Sequence, residues 1–338
     1  MKIWLALIAL MPCFALAEAE KLTEEPVLRV TDQRGIETEE PPVNWVDAGQ
    51  SVAADQAQAM VEWVDEFFGD PTYDLEKAES FLRLEFENEW DQDDGNDFGA
   101  TVRGKVQLPK LSKRLDLVFS DSDGDSVDRE EKEDEDNISL QYRVREGDRS
   151  RFDATMGFSS GHLKPGVRYR NEGELQSARS YRYVQRLQYE DGENFFTIAQ
   201  GDLYQVFENT DVLRWSNRLK YGGHTQGMEW RTRMSLFQRY KSDTKRPLAL
   251  NHFFTVAGET QPDSFVKNYS LGTIWRRQVY RDFLFVELEP AINYRRAEYE
   301  DERDVAWSFV VRLEIALSRD FSRAGKRDRA RDDDSDVD

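Results

Sequence analysis

The chain has 338 residues, a formal net charge of −20, 39 % apolar and 33 % charged residues, and one cysteine, Cys13. The acidic balance argues against the phosphate backbone of a nucleic acid as a partner, and a lone cysteine rules out an internal disulfide. Beyond the N-terminus no apolar run approaches the ~20 residues of a membrane-spanning helix. The mean hydropathy of −0.75 does not exclude a membrane protein, because alternating strands average out in a hydropathy window.

The first 17 residues read as a secretory signal. Lys2 supplies the positive charge, Ile3–Leu10 the apolar run and Ala15-Leu16-Ala17 the small-residue cleavage site. Cleavage is expected after Ala17, with Ala17-Glu18-Ala19 as the second choice. Leu10-Met11-Pro12 before Cys13 faintly suggests a lipoprotein signal, but Pro12 stands where a small residue is needed. The mature chain then has no cysteine, although the exported compartment would allow disulfides. Residues 18–50 are rich in Glu and Pro, with Pro26, Pro41 and Pro42. They read as an extended or disordered periplasmic segment. Residues 51–78 hold an amphipathic helix and linker. Ser51 is a candidate cap and Gly69-Asp70-Pro71 the stop, and Ala53, Ala57, Met60, Val61, Val64, Phe67 and Phe68 recur at helical spacing. The expected place for this helix is the periplasmic rim of the domain that begins at Glu79. A lumen plug and a docking helix for a partner are the alternatives.

From Glu79 the period becomes two. Leu82, Leu84, Phe86 and Trp90 alternate with Arg83, Glu85 and Glu87, and Phe98, Ala100, Val102 and Val106 with Thr101, Arg103, Lys105 and Gln107. A short turn at Pro109–Lys113 leads to Leu115, Leu117 and Phe119, then to the acidic loop Asp121–Asp136. Further strands centre on Ile138–Arg145, Phe152–Ser159, Gly166–Arg170, Ser180–Tyr189, Phe195–Phe207, Val212–Tyr221, Met228–Tyr240, His252–Gly258 and Tyr269–Gln278. The last hairpin is the clearest. Leu284, Val286, Leu288, Pro290, Ile292 and Tyr294 share one face, as do Trp307, Phe309, Val311, Leu313, Ile315 and Leu317. A soluble sandwich with a polar centre would bury the wrong face of such strands. A barrel in lipid, greasy outside and polar inside, requires it. The predicted fold is all-β: a transmembrane antiparallel β-barrel over residues 79–321, of fourteen strands, or twelve if the weak segments near Gly166 and Phe195 fail. The even number returns both ends to the periplasm. Asp91–Asp97, Asp121–Asp136 and Glu298–Asp304 are then outer loops, and Tyr280-Arg281-Asp282 an inner turn. Trp90, Trp215, Tyr221, Tyr240, Trp275, Tyr294 and Trp307 fall near strand ends, where amphipathic rings settle at a bilayer interface.

Several segments carry a resemblance. They are Phe81-Leu-Arg-Leu84, Leu108-Pro-Lys-Leu111, Leu213-Arg-Trp-Ser-Asn217, Ser235-Leu-Phe-Gln-Arg239, Arg281–Pro290 and Val311-Arg-Leu-Glu314. Through them the stretch from Glu79 to Leu317 resembles a family of uncharacterised outer-membrane barrel proteins of Gram-negative proteobacteria. The resemblance implies the barrel fold, an outer-membrane location among lipid and lipopolysaccharide, and delivery by the barrel assembly machinery. It implies no activity. Such barrels often end on an aromatic that the machinery reads. Here Phe321 is in register for that role, but a tail over 322–338 comes after it, turning from basic (Lys326, Arg327, Arg329, Arg331) to acidic (Asp332, Asp333, Asp334, Asp336, Asp338). Charge blocks of this kind read as disordered.

Chemistry is sparse. The three histidines are His162, His224 and His252. Ser160-Gly161-His162 lacks a third orienting residue for nucleophilic catalysis, and His224 with Asp211 or Asp243 matches no protease motif, so no enzyme and no cofactor is expected. Asp121, Asp123 and Asp125 are spaced like a calcium loop, but Gly124 is at the wrong position and Lys132 stands where the closing Glu belongs. Loose bridging of divalent cations at acidic outer loops is the residual expectation. The informative pattern is charge on the inward positions. Basic residues fall on strands two to ten: Arg103, Lys105, Arg143, Arg145, Arg168, Arg170, Arg182, Arg186, Arg214, Arg218, Lys220, Arg231 and Arg233. Acidic residues fall on the first and last two strands: Glu85, Glu87, Glu287, Glu289 and Glu314. These two walls would face one another across the barrel. The expectation is a small-solute pore favouring anions, with two alternatives: a closed structural or assembly barrel with every charge paired, and, behind both, a lipid-modifying enzyme.

Overall fold

Side chains of an extended strand point alternately to opposite faces, and here the alternation is carried round a closed cylinder. The computed structural model describes residues 58–68, 80–108, 112, 114–119, 138–147, 149–159, 162–176, 178–190, 194–207, 211–223, 225, 227–240, 247–280 and 283–316. Fourteen strands run in order: β1 Ser80–Asp91, β2 Gly95–Gln107, β3 Leu115–Phe119, β4 Ile138–Glu146, β5 Ser150–Ser159, β6 His162–Gln176, β7 Arg179–Glu190, β8 Asn194–Phe207, β9 Asp211–Gly222, β10 Met228–Tyr240, β11 Leu248–Glu259, β12 Phe265–Tyr280, β13 Leu284–Arg295 and β14 Asp304–Ala316. Each pairs antiparallel with its sequence neighbour, and β1 pairs with β14 to close the barrel. Closure gives every strand a hydrogen-bonded neighbour on both sides, as suits lipid, though β2 meets β3 only over Gly104–Gln107 among the described residues.

The two segments that looked weakest are full strands. β6 has 15 residues and β8 has 14. Pro165 and Gly166 masked the alternation of β6, yet Leu163, Val167 and Tyr169 still face outward while Lys164, Arg168 and Arg170 are buried within. The expected outer loop Asp91–Asp97 is only a turn, 92–94. The Asp91 carboxylate accepts the backbone N–H groups of Asp93 and Asp94, and Gly95 comes next at φ +84°, a conformation that favours glycine.

The exterior is a belt of exposed apolar side chains that includes Leu163, Leu187, Leu203, Trp215, Met234, Phe254, Leu271 at 58 % and Trp307 at 55 %. The interior holds the buried polar residues, the reverse of a soluble core. Among the described residues no helix is long and apolar enough to cross a membrane, which says nothing about crossing by strands. The signal and extended segments (1–17, 18–50), the loop Asp121–Asp136, Phe321 and the tail 322–338 lie outside the described residues.

The helix α1, residues 58–68, departs from the expected rim position. It packs against the inner face of the barrel at the terminal end, where β1 starts and β14 finishes. Met60, Val61 and Val64 form one cluster with Tyr204, Val206, Val212 and Phe237, and Phe67 another with Ala249 and Phe285, against which Ala316 also packs. The pairing puts these wall residues on the same face as the buried charges. Apolar residues at the inner terminal end, which alternation alone had left without a purpose, are the seat of this helix.

Candidate functional site: the barrel interior and α1

The interior is built from three groups of charge. The first lies where β12, β13, β14, β1 and β2 adjoin. Glu314 is 1 % exposed and accepts from Arg83 (2.5 Å) and Arg276 (2.8 Å). Arg276 also donates to Glu287 (2.6 Å), and Arg103 to Glu85 (2.6 Å). Arg312 bonds Glu87 and Glu289 and lies 3.4 Å from Glu287 and 4.0 Å from Glu85. Glu85, Glu87, Glu287, Glu289 and Glu314 therefore do share one wall, but Arg83, Arg103, Arg276 and Arg312 are threaded among them. Arg103, expected on the basic wall, thus donates to Glu85 on the acidic one. Arg312 and Arg83 are accounted for by the alternation of their own strands. Arg276 was hidden in Trp275-Arg276-Arg277, where local sequence leaves open which arginine faces in. Pairing with β11 decides it, since Arg276 lies opposite the buried Ala249.

The second group surrounds Asp116, which is fully buried. Lys105 (3.5 Å), Arg143 (3.8 Å) and Arg151 (3.8 Å) approach it, and Asp153 accepts from Arg151 and Gln141. Arg145 does not join them. A register shift between Arg143 and Arg145 sets Arg145 opposite Phe152, an exposed outward residue, because a bulge inserts one residue and reverses the face of the residues after it.

The third group spans β6 to β10. Arg168, Arg170, Arg182, Arg186, Arg214, Arg218, Lys220, Arg231 and Arg233 all lie on the inner face by the pairing. Arg168 is directly opposite Arg186, and Arg218 directly opposite Arg231. Like charges so placed repel one another across the ladder. Acidic residues lie among them. Arg170 bonds Glu172, Arg214 bonds Asp202 (3.1 Å), Lys164 bonds Glu190 (2.7 Å) and Lys220 lies 3.7 Å from Glu229. Arg233 stands over the Phe253 ring at 4.1 Å.

Helix α1 bridges the first and third groups. Its Asp65, 1 % exposed, accepts from Arg182 (2.8 Å) and from the Tyr204 hydroxyl (3.5 Å). Arg83 donates to the Glu66 carbonyl (3.2 Å). Phe67 stacks on Trp63, meets Phe285 edge-on and lies under Arg276, while Arg239 covers Trp63 at 4.5 Å. The helix thus touches wall residues from β7 round through β14 to β1. Asp65 was missed in the sequence because it lies on the apolar side of an amphipathic helix, where a carboxylate has no local partner.

His252 faces outward, with Nδ1 2.8 Å from Thr273 Oγ1. The side chains of Ser160, His162 and His224 lie outside the described residues. Among the described residues no group of three or more His, Cys, Asp or Glu is placed to hold a metal ion.

No protein-family model matches the chain, and no curated protein is similar to it in sequence. Solved structures resemble it in shape. A bacterial polysaccharide outer membrane secretin is 10 % identical with a TM-score of 0.46, covering 71 % of this chain and 98 % of its own. The CymD monoaromatic hydrocarbon channel is 10 % identical with a TM-score of 0.44, covering 78 % and 93 %. The KdgM porin is 8 % identical with a TM-score of 0.32, covering 70 % and 99 %. Each is a likeness of barrel to barrel and assigns no activity.

Proposed function

We propose that the chain is an integral barrel of the Gram-negative outer membrane that passes small solutes, anions in preference, and that α1 closes its terminal end in the state described. The observation that carries this reading is the excess of inner-face cations on β6 to β10, with like-charged pairs kept directly opposite one another. Low-dielectric walls strengthen the field of these charges along the interior, and charged rings set the sign of the ion admitted. The exposed apolar belt fits lipid contact. The outer face contacts lipid and lipopolysaccharide, and insertion falls to the barrel assembly machinery.

The test is fractionation and then planar-bilayer recording of the refolded full chain. Reversal potentials across a salt gradient should show anion preference, and Arg214→Glu with Arg218→Glu and Arg231→Glu should shift selectivity towards cations. Recovery in the soluble periplasm overturns the location. Unchanged selectivity in the triple variant overturns the role of this wall. A second reading, a closed structural barrel, is favoured by the interlocked ion pairs around Arg276 and Arg312. It predicts no conductance from the wild type or from a variant with α1 undocked.

A further inference from the structure

Of the acidic residues on α1, Glu62 and Glu66 are partly or fully exposed, whereas Asp65 is buried against the wall. Arg182 and Tyr204, both of the barrel, bind it. Arg182 Nη2 donates to Oδ2 at 2.8 Å, and the Tyr204 hydroxyl lies 3.5 Å from Oδ1 and accepts from Arg182 Nη1 at 3.1 Å. Arg182 and Arg214 both lie 5.6 Å from the centre of the Tyr204 ring. Arg182, Tyr204 and Arg214 come from three consecutive strands, β7, β8 and β9, held in continuous register. The donors therefore belong to strands whose pairing does not involve α1. The acceptor is delivered by a separate element, held also by apolar contacts of Met60, Val61, Val64 and Phe67 and by the Arg83 bond to the Glu66 carbonyl.

We propose that Arg182 and Tyr204, flanked by Arg170 and Arg214, form a binding site for a carboxylate-bearing solute, which Asp65 occupies while α1 is docked. A buried guanidinium needs a counter-charge; beside Glu172 at 3.8 Å, the nearer group at Arg182 is the Asp65 carboxylate at 2.8 Å, which matches a guanidinium fork well. Arg170 and Arg214 add to the local positive field and have their own carboxylates, Glu172 and Asp202. Asp65 thus serves as an internal substitute for solute, and a solute carboxylate and the docked helix exclude one another. The inference rests on the proposed interior path only in that a solute must reach the site.

Calorimetric titration of the refolded full chain in detergent with glutarate tests it. A tethered carboxylate competes at an effective concentration in the millimolar range, so Asp65→Asn should bind glutarate about tenfold or more tightly than wild type. Phe67→Ala, which weakens the seat of α1 on Ala249 and Phe285 away from the site, should show the same gain. Adding Arg182→Gln to either variant should abolish it. No gain in either variant, with folding verified by the heat-dependent shift in gel mobility, overturns the site. Tighter binding of inorganic phosphate than of glutarate to Asp65→Asn overturns the carboxylate assignment. Conductance recorded on the same samples separates the two readings: binding without conductance in Phe67→Ala supports the site and overturns the pore.

Discussion

Replacing Glu314 by alanine probes whether the interlocked charges stabilise the barrel. Glu314 is almost wholly buried and joins Arg83 and Arg276 directly, with Arg103 at 3.9 Å. Removing one member of a buried ion pair costs ~3–5 kcal/mol, because the remaining charge is left in a low-dielectric site. Here the loss is cushioned. Arg276 retains Glu287 at 2.6 Å, Arg103 retains Glu85 at 2.6 Å and Arg83 retains the Glu66 carbonyl at 3.2 Å. The expected destabilisation is therefore at the low end, about 3 kcal/mol, or about a hundredfold in the folding equilibrium. Equilibrium unfolding in guanidinium, monitored by tryptophan fluorescence of the protein refolded in lipid vesicles, measures it. Glu298→Ala, an exposed loop position, is the control and should stay within ~0.5 kcal/mol of wild type. A Glu314→Ala value as small as the control's would refute the reasoning and reduce the network to weakly coupled, solvated pairs.

The same geometry sets three further outcomes. Leu271→Arg, on the lipid-facing side near the middle of β12, should destabilise the barrel by ~2–4 kcal/mol in vesicles, measured by the same unfolding experiment. A smaller effect than that of Val305→Arg, at the strand end, would contradict the depth assigned to it. Gly272→Ala should cost ~1–3 kcal/mol by overpacking, because a Cβ there would stand 2.5 Å from Phe253 Cζ and 2.9 Å from Ala291 Cβ. Thermal melts of the two proteins side by side show whether it does. Phe67→Ala removes the ring between Trp63 and Phe285 and should loosen α1 while leaving the barrel transition unchanged. Losing a buried Phe costs ~3–5 kcal/mol, so amide exchange in residues 58–68 should rise by at least about a hundredfold, with protection of the strands unaltered.

Strand identity and facing were legible in the sequence because both are local properties. A period of two states which side chains share a face without reference to any other strand, and Leu284 to Tyr294 and Trp307 to Ile315 are outward just as their spacing requires. The reversed polarity of those faces further distinguished a barrel in lipid from a sandwich. What the tertiary structure decided is non-local. The partners of Arg312 and Arg276 come from strands far apart in sequence, brought together by register and by the closure of β1 on β14. The bulge that turns Arg145 outward is visible only against β5. The position of α1 shows the limit most clearly. Its apolar stripe demands a seat but does not name one, and the rim and the interior satisfy helical periodicity equally. The interior prevails because the barrel's inner terminal end offers Val206, Val212, Phe237 and Phe285 for the stripe and Arg182 for Asp65, a combination that exists only once the sheet has closed.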